Sequence, residues 1–156
     1  MNISKHLEQE FLQLLKPCVL FGSRAWGIAT NTSDYDYILN AQQADAIENF
    51  LHANNVDYER SGRYGAELNN DRKISVNING TKYDLVIFFV SSTEDHRAAV
   101  QATTIMTKFA EQTNINDKRF RIQTFEAFLN LASNGKLPSS SYAANFAVTN
   151  FPELLI

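Results

Sequence analysis

The chain predicts an α+β domain: short strands gathered in one sheet, covered by helices, with a helical segment toward the C-terminus. Three observations carry that reading. Helical and strand-like patterns follow one another from the start, in the order helix, strand, strand, helix. Asn79-Gly80 lies between two strand-like runs, the pattern of a two-residue type I′ hairpin. Beyond residue 91 the strand signal stops and two long helical stripes follow. At 156 residues the chain suits a single domain with a substantial core. A sheet-bearing core takes about 1–90, a helical segment about 91–134, and a tail 135–156.

Ile3, Leu7, Phe11 and Leu14 recur at helical spacing, which predicts a helix over 4–15. Pro17 ends it, because a proline pushes the preceding residue out of the helical region. Cys18-Val19-Leu20-Phe21 reads as a short buried strand that delivers the chain to Gly22. A second strand is expected at about Asp34–Asn40, and Ala44, Ile47, Phe50 and Leu51 mark a second helix ending near Asn54-Asn55. Residues 57–72 read as a strand with a mobile loop. Lys73 to Ile78 alternates polar and apolar, as a half-buried strand does, and Thr81–Val90 is its return strand.

Ser91-x-x-Glu94 has the form of a capping box, opening a helix to about Gln112 with Val100, Ile105, Met106 and Phe109 inward. A last helix is expected from about Asp117 to Ser133, with Phe120, Phe125, Phe128 and Leu129 inside and Asn134-Gly135 as its stop. Pro138 and Ser139-Ser140-Ser141 form a linker. The apolar tail beyond it, from Phe146 to Ile156, either docks on its own body or meets a protein partner.

Composition narrows the class of protein. A net charge of −3 provides no general basic field, so polyanion binding would have to be local. Cys18 is the single cysteine, so no internal disulfide exists; its apolar neighbours suggest a buried thiol. The first 16 residues carry Lys5, Glu8, Glu10 and Lys16, unlike a secretory leader. No apolar run reaches the ~18 residues of a membrane span. A cytoplasmic protein is expected.

The chemistry concentrates in two places. Asp34 and Asp36 stand two apart on a predicted strand, so both point to one face with Ile38. Their Cα atoms would be about 6.6 Å apart, close enough to converge on a Mg²⁺ ion. A polar turn entering an edge strand would show the same D-x-D pair. Asp84 opens the apolar strand Leu85 to Phe89, where a lone buried carboxylate is costly. It pairs with Lys82, on the same face, or serves as a third metal ligand. Three carboxylates on neighbouring strands could hold two metals ~3.5–4 Å apart, the arrangement for in-line displacement at phosphorus. Asp84 is also the natural general base.

Gly22-Ser23 supplies a phosphate cradle, since glycine permits positive φ and close approach of backbone N–H groups. A helix beginning in residues 24–29 would add a favourable field for anions. Arg24 fits a phosphate contact or a surface salt bridge, and Trp26 fits core packing or stacking on a base. Arg60, Arg63, Tyr64, Arg72 and Lys73 fit a loop for phosphates or RNA, or a solvated loop balanced by Glu59, Glu67 and Asp71. The three histidines lack metal-ligand spacing.

The stretch from Gly22-Ser23-Arg24-Ala25-Trp26-Gly27 through Thr32-Ser33-Asp34-Tyr35-Asp36 resembles the signature of the polymerase-β-like nucleotidyltransferase superfamily. It is most similar to small predicted nucleotidyltransferases of bacteria and phages, with their G-S-x-A-x-G and S-D-x-D motifs. The resemblance is specific over residues 19–39. It implies a mixed sheet flanked by helices, Mg²⁺ (or Mn²⁺) dependence and an NTP donor. It further implies Gly22 and Ser23 on the donor phosphates, and Asp34, Asp36 and Asp84 as metal-binding catalytic carboxylates.

The expected activity is transfer of NMP, from ATP in the first instance, to a hydroxyl on a protein, an RNA or a small molecule. If phage-encoded, the protein would work in the host cytoplasm. The rival expectation is a non-catalytic module of the same fold that binds a nucleotide or sequesters a partner.

Overall fold

The computed structural model describes residues 2–61, 72–87 and 93–132. The described chain forms two units: Met1–Ala25 with Ala29–His96, and Trp26–Ile28 with the residues from Arg97 onward.

The first unit is built on a mixed five-stranded sheet, as an α+β reading requires. Its elements are α1 (Lys5–Leu15), β1 (Val19–Phe21), β2 (Tyr35–Leu39), α2 (Ala41–Ala53), β3 (Glu59–Ser61), β4 (Arg72–Ile78) and β5 (Thr81–Ile87). The strand order is β1-β2-β5-β4-β3. β2 and β5 run parallel, while every other pairing is antiparallel. Parallel neighbours need a crossover, and here α2, β3 and β4 provide it.

Local chemistry explains the element ends. Ser4 caps α1, its hydroxyl accepting from the Leu7 N–H at 3.2 Å. Asn40 and Gln43 form a reciprocal capping box on α2. Asn79 and Gly80 both have positive φ, 52° and 91°, as a type I′ turn requires, and Ile78 pairs with Thr81 across it. The Asn79 side chain accepts from the Ile3 N–H at 2.8 Å, tying the start of the chain to this hairpin.

One face of the sheet carries the core shared with α1 and α2, and Phe21, Ile38 and Val86 are buried on the other. Phe11 and Leu15 of α1 and Ala44, Ile47 and Leu51 of α2 cluster with Leu39, Ile74, Val76, Ile78, Tyr83 and Leu85. Phe11 meets Tyr83 edge-on at 5.1 Å. Each such buried aliphatic or aromatic side chain contributes about 1.5–3 kcal/mol by leaving water.

The second unit contains most of α3 (Thr93–Gln112) and all of α4 (Lys118–Ala132). Ile105, Met106 and Phe109 of α3 and Phe125, Phe128 and Leu129 of α4 are buried, while Val100 and Phe120 are half-buried. Phe109 meets Phe128 edge-on at 5.5 Å. Trp26 packs against Phe125, 5.4 Å between ring centres. No described helix is long and apolar enough to cross a membrane.

Residues 23–27 differ from the helix considered for 24–29: they form turns, held by Ala25 N–H donating to the Gly22 carbonyl. Positive φ at Gly22 and Gly27 bends this backbone away from a helical path. Asp34 falls just before β2 rather than inside it. Cys18 is half-buried, and burial pushes its thiol up to about 11, so it stays protonated. The proposed loop over 62–71, the end of the return strand at 88–90, the Ser91 cap, the Asn134-Gly135 stop and the tail lie outside the described residues.

Candidate active site

The strand register builds the site. Asp36 on β2 is the partner of Asp84 on β5, and Asp84 is the partner of Ser75 on β4. Paired residues share a face, so the three side chains form a row across the middle of the sheet. The row lies on the face opposite the α1–α2 core, because alternate residues of each strand change sides. Phe21 on β1 is the remaining partner of Asp36, which brings the following residue, Gly22, to the carboxylate. A Cβ built on Gly22 would collide with the Asp36 carboxyl. With φ at 76° as well, this position requires glycine for two independent reasons.

Asp34 joins the row through Lys82. The Lys82 ammonium stands 3.6 Å from Asp34 Oδ2 and 4.0 Å from Asp84 Oδ1. The Ser75 hydroxyl donates to the same Asp84 oxygen at 2.8 Å. Burial pushes the Asp36 carboxyl up to about 7, with the Asp84 and Asp34 charges adding to the effect and Lys73 and Lys82 opposing it. Asp36 is therefore poised near neutrality: a cation arriving beside it would favour the ionised form.

The structure thus sets Asp36 beside Asp84 and links Asp34 to Asp84 through Lys82. Asp84 is largely buried, with Lys82 and Ser75 as partners; both a salt bridge and a ligand role remain compatible with its place. Among the described residues, no three His, Cys, Asp or Glu side chains are grouped so as to hold a metal ion. Carboxylate oxygens are nonetheless the donors a hard divalent cation prefers, and Asp36 and Asp84 present theirs on one face.

Ser23 follows Gly22 in the turn and is half-buried. Arg24 takes a different place. Its guanidinium donates to the Ser33 carbonyl at 3.2 Å and 2.8 Å and lies 4.0 Å over the Tyr35 ring. Tyr35 belongs to the face opposite Asp36, so Arg24 closes the loop that spans Gly22 to Ser33. Thr30 and Ser33 tighten the far end of that loop, the Thr30 N–H donating to Ser33 Oγ at 2.8 Å.

The basic residues considered for phosphate or RNA are dispersed. Arg60 stands 3.7 Å from Glu48 of α2, while Lys73 lies within β4 on the carboxylate face. Arg63 and Tyr64 are outside the described residues. Ser75 and Lys73 were not singled out with the carboxylates, yet a signal existed. A two-residue turn at Asn79-Gly80 fixes every pair in the hairpin, and counting back from Ile78 and Thr81 sets Ser75 opposite Asp84.

Beside the row, a groove of about 350 Å³ is lined by Asp57, Tyr58, Glu59, Asn77, Ser75 and Lys82, among others. Among known proteins, no family, no curated protein and no solved structure matches this chain.

Proposed function

We propose that this protein is a metal-dependent nucleotidyltransferase that moves NMP from an NTP to an acceptor hydroxyl and releases pyrophosphate. The observation that carries the reading is the pairing of Asp36 with Asp84 on one sheet face, with Asp34 linked to them through Lys82 and Gly22 pressed against Asp36. A row of acids repels itself, and a fold retains such a row at a cost unless something positive uses it. Asp34, Asp36 and Asp84 would hold Mg²⁺ or Mn²⁺. When bound, that cation supplies positive charge for the triphosphate and acidifies the acceptor hydroxyl.

The chain's own residues do the rest. Gly22 and Ser23 offer backbone N–H groups and a hydroxyl to the donor phosphates. Arg24 holds the loop that carries them by bonding the Ser33 carbonyl. The acceptor oxygen bonds to the α-phosphorus while the bond from that phosphorus to the pyrophosphate oxygen breaks. The acceptor's proton passes to the Asp84 carboxylate, and Ser75 holds that carboxylate in place.

A second reading has one observation in its favour. Ser75 and Lys82 already partner Asp84, and Lys82 partners Asp34, as in a protein that keeps the fold for nucleotide binding or partner sequestration without turnover. Label transfer from α-³²P-NTPs into a cell lysate, with Mg²⁺ or Mn²⁺, separates the two. Label that depends on Asp36 supports the enzyme, and its loss to protease or to RNase names a protein or RNA acceptor. Label resistant to both points to a small molecule. No label with any nucleotide or metal supports the non-catalytic module.

A further inference from the structure

We infer that Lys82 is a resident counter-cation that competes with a divalent metal ion for Asp34 and Asp84. The inference rests on the reading of these carboxylates as metal ligands. It goes beyond that reading by assigning Lys82 a role that the carboxylate motif does not contain.

The geometry supplies the argument. Lys82 is the register partner of Asn77 and stands two residues before Asp84, so all three share the carboxylate face. Its ammonium reaches an oxygen of Asp34 and an oxygen of Asp84 at once, 3.6 Å and 4.0 Å away. Asp34 and Asp84 could hold a metal only where the Lys82 ammonium now makes its contacts. An ammonium left in place would repel the incoming ion across about 4 Å, a strong penalty where water is partly excluded.

Lys82 also has somewhere to go. Its side chain is 50% exposed, and it lines the groove that Asp57, Tyr58, Glu59 and Asn77 share. A lysine stem is long and flexible, and its point charge accepts new partners without a fixed geometry. Displacement therefore costs the two contacts to Asp34 and Asp84 rather than any buried packing. The consequence is weak binding of metal by itself. Donor phosphates arriving with the metal would give the displaced ammonium an anionic partner and lift that handicap.

A purely structural Lys82 would behave differently. It would clip β5 to the segment before β2, and its removal would loosen the fold without tightening metal binding.

Binding of Mn²⁺ alone, read from the loss of the free Mn²⁺ electron-spin signal, distinguishes these roles in the full chain. Lys82→Gln is expected to bind Mn²⁺ on the order of tenfold more tightly than the unaltered protein. Lys82→Arg, which keeps the charge, is expected to stay near the unaltered affinity and guards against a general effect of substitution. Adding Asp36→Asn to Lys82→Gln is expected to weaken Mn²⁺ binding again. Unchanged or weaker binding in Lys82→Gln, with Asp36-dependent binding in the unaltered protein, overturns the competition while leaving the metal site standing. Absence of Asp36-dependent Mn²⁺ binding in both proteins overturns the competition and the metal reading together.

Discussion

Alternate residues of β2 and β5 face opposite ways, and the two sides of the sheet have different tasks. On one side Leu39, Tyr83 and Leu85 meet Phe11, Leu15, Ile47 and Leu51 in a continuous apolar cluster. On the other, Asp36 and Asp84 stand side by side with Lys82, Ser75 and Asp34 around them. The first side gains from every atom removed from water. The second keeps like charges together and leaves Asp36 reluctant to ionise. A period of two places both environments within the same few residues, so strands held rigid by one face position the chemistry of the other.

A pair of substitutions, one per face, gives the sharpest separation. Phe11→Ala is expected to lower the unfolding free energy by about 3–5 kcal/mol in denaturant titration, with the folded fraction still transferring label normally. Asp36→Asn is expected to cut transfer on the order of 10²–10³-fold while the melting temperature holds or rises. Full transfer by a well-folded Asp36→Asn protein would remove the catalytic face from the comparison altogether.

Gly22→Ala probes the join between the two sides. The new methyl must displace the Asp36 carboxyl and adopt positive φ, so about 1–3 kcal/mol of stability should go, together with most transfer. An alanine variant with normal melting and normal activity would show that the close approach at Gly22 is dispensable.

The acid-dependence of stability offers a milder test. Asp36 is raised in the folded state, so the folded protein holds this proton more tightly than the unfolded chain does. The fold is therefore favoured by this group below the usual carboxylate range, and the benefit is lost as pH rises through about 7. In metal-free protein the melting temperature should fall as pH is raised from 5 to 8, and Asp36→Asn should flatten that slope. An equal slope in both proteins would assign the dependence to other groups.

The smallest expected effect belongs to the core side. Asn79→Ala removes the acceptor for the Ile3 N–H and the turn residue with φ of 52°, and should cost about 1 kcal/mol with no change in transfer.

Much of this arrangement was legible in the residues themselves. Stripes such as Ile47 and Leu51, the Asn79-Gly80 turn and the alternation of Lys73 to Ile78 depend on neighbours close in sequence, and those elements appear where expected. Asp36 takes the face that the same local rule gives it, whereas Asp34 falls just before β2 and meets the row through Lys82. Lys82 as a partner for Asp84 was legible too, from their spacing of two. Strand order was not, because β5 inserts between β2 and β4 through contacts distant in sequence. The close approach of Gly22 to Asp36 was hidden for the same reason, since it depends on β1 pairing with β2. Arg24, whose neighbours suggest a phosphate contact or a surface salt bridge, bonds the Ser33 carbonyl and lies over the Tyr35 ring, partners that local spacing does not reveal.

The parallel pairing of β2 with β5 also bears on how the molecule comes into being. Two acids arrive early in the chain at positions 34 and 36, but the third waits at 84, beyond α2, β3 and β4. Closing that long connection is a slow, entropically costly event in folding, and nothing local can rehearse it. A nascent chain that has not yet released β5 carries the Gly22 turn, Asp34 and Asp36 without the strand that bears Asp84. On the proposed function, a chain in which β5 has not paired with β2 would lack competence.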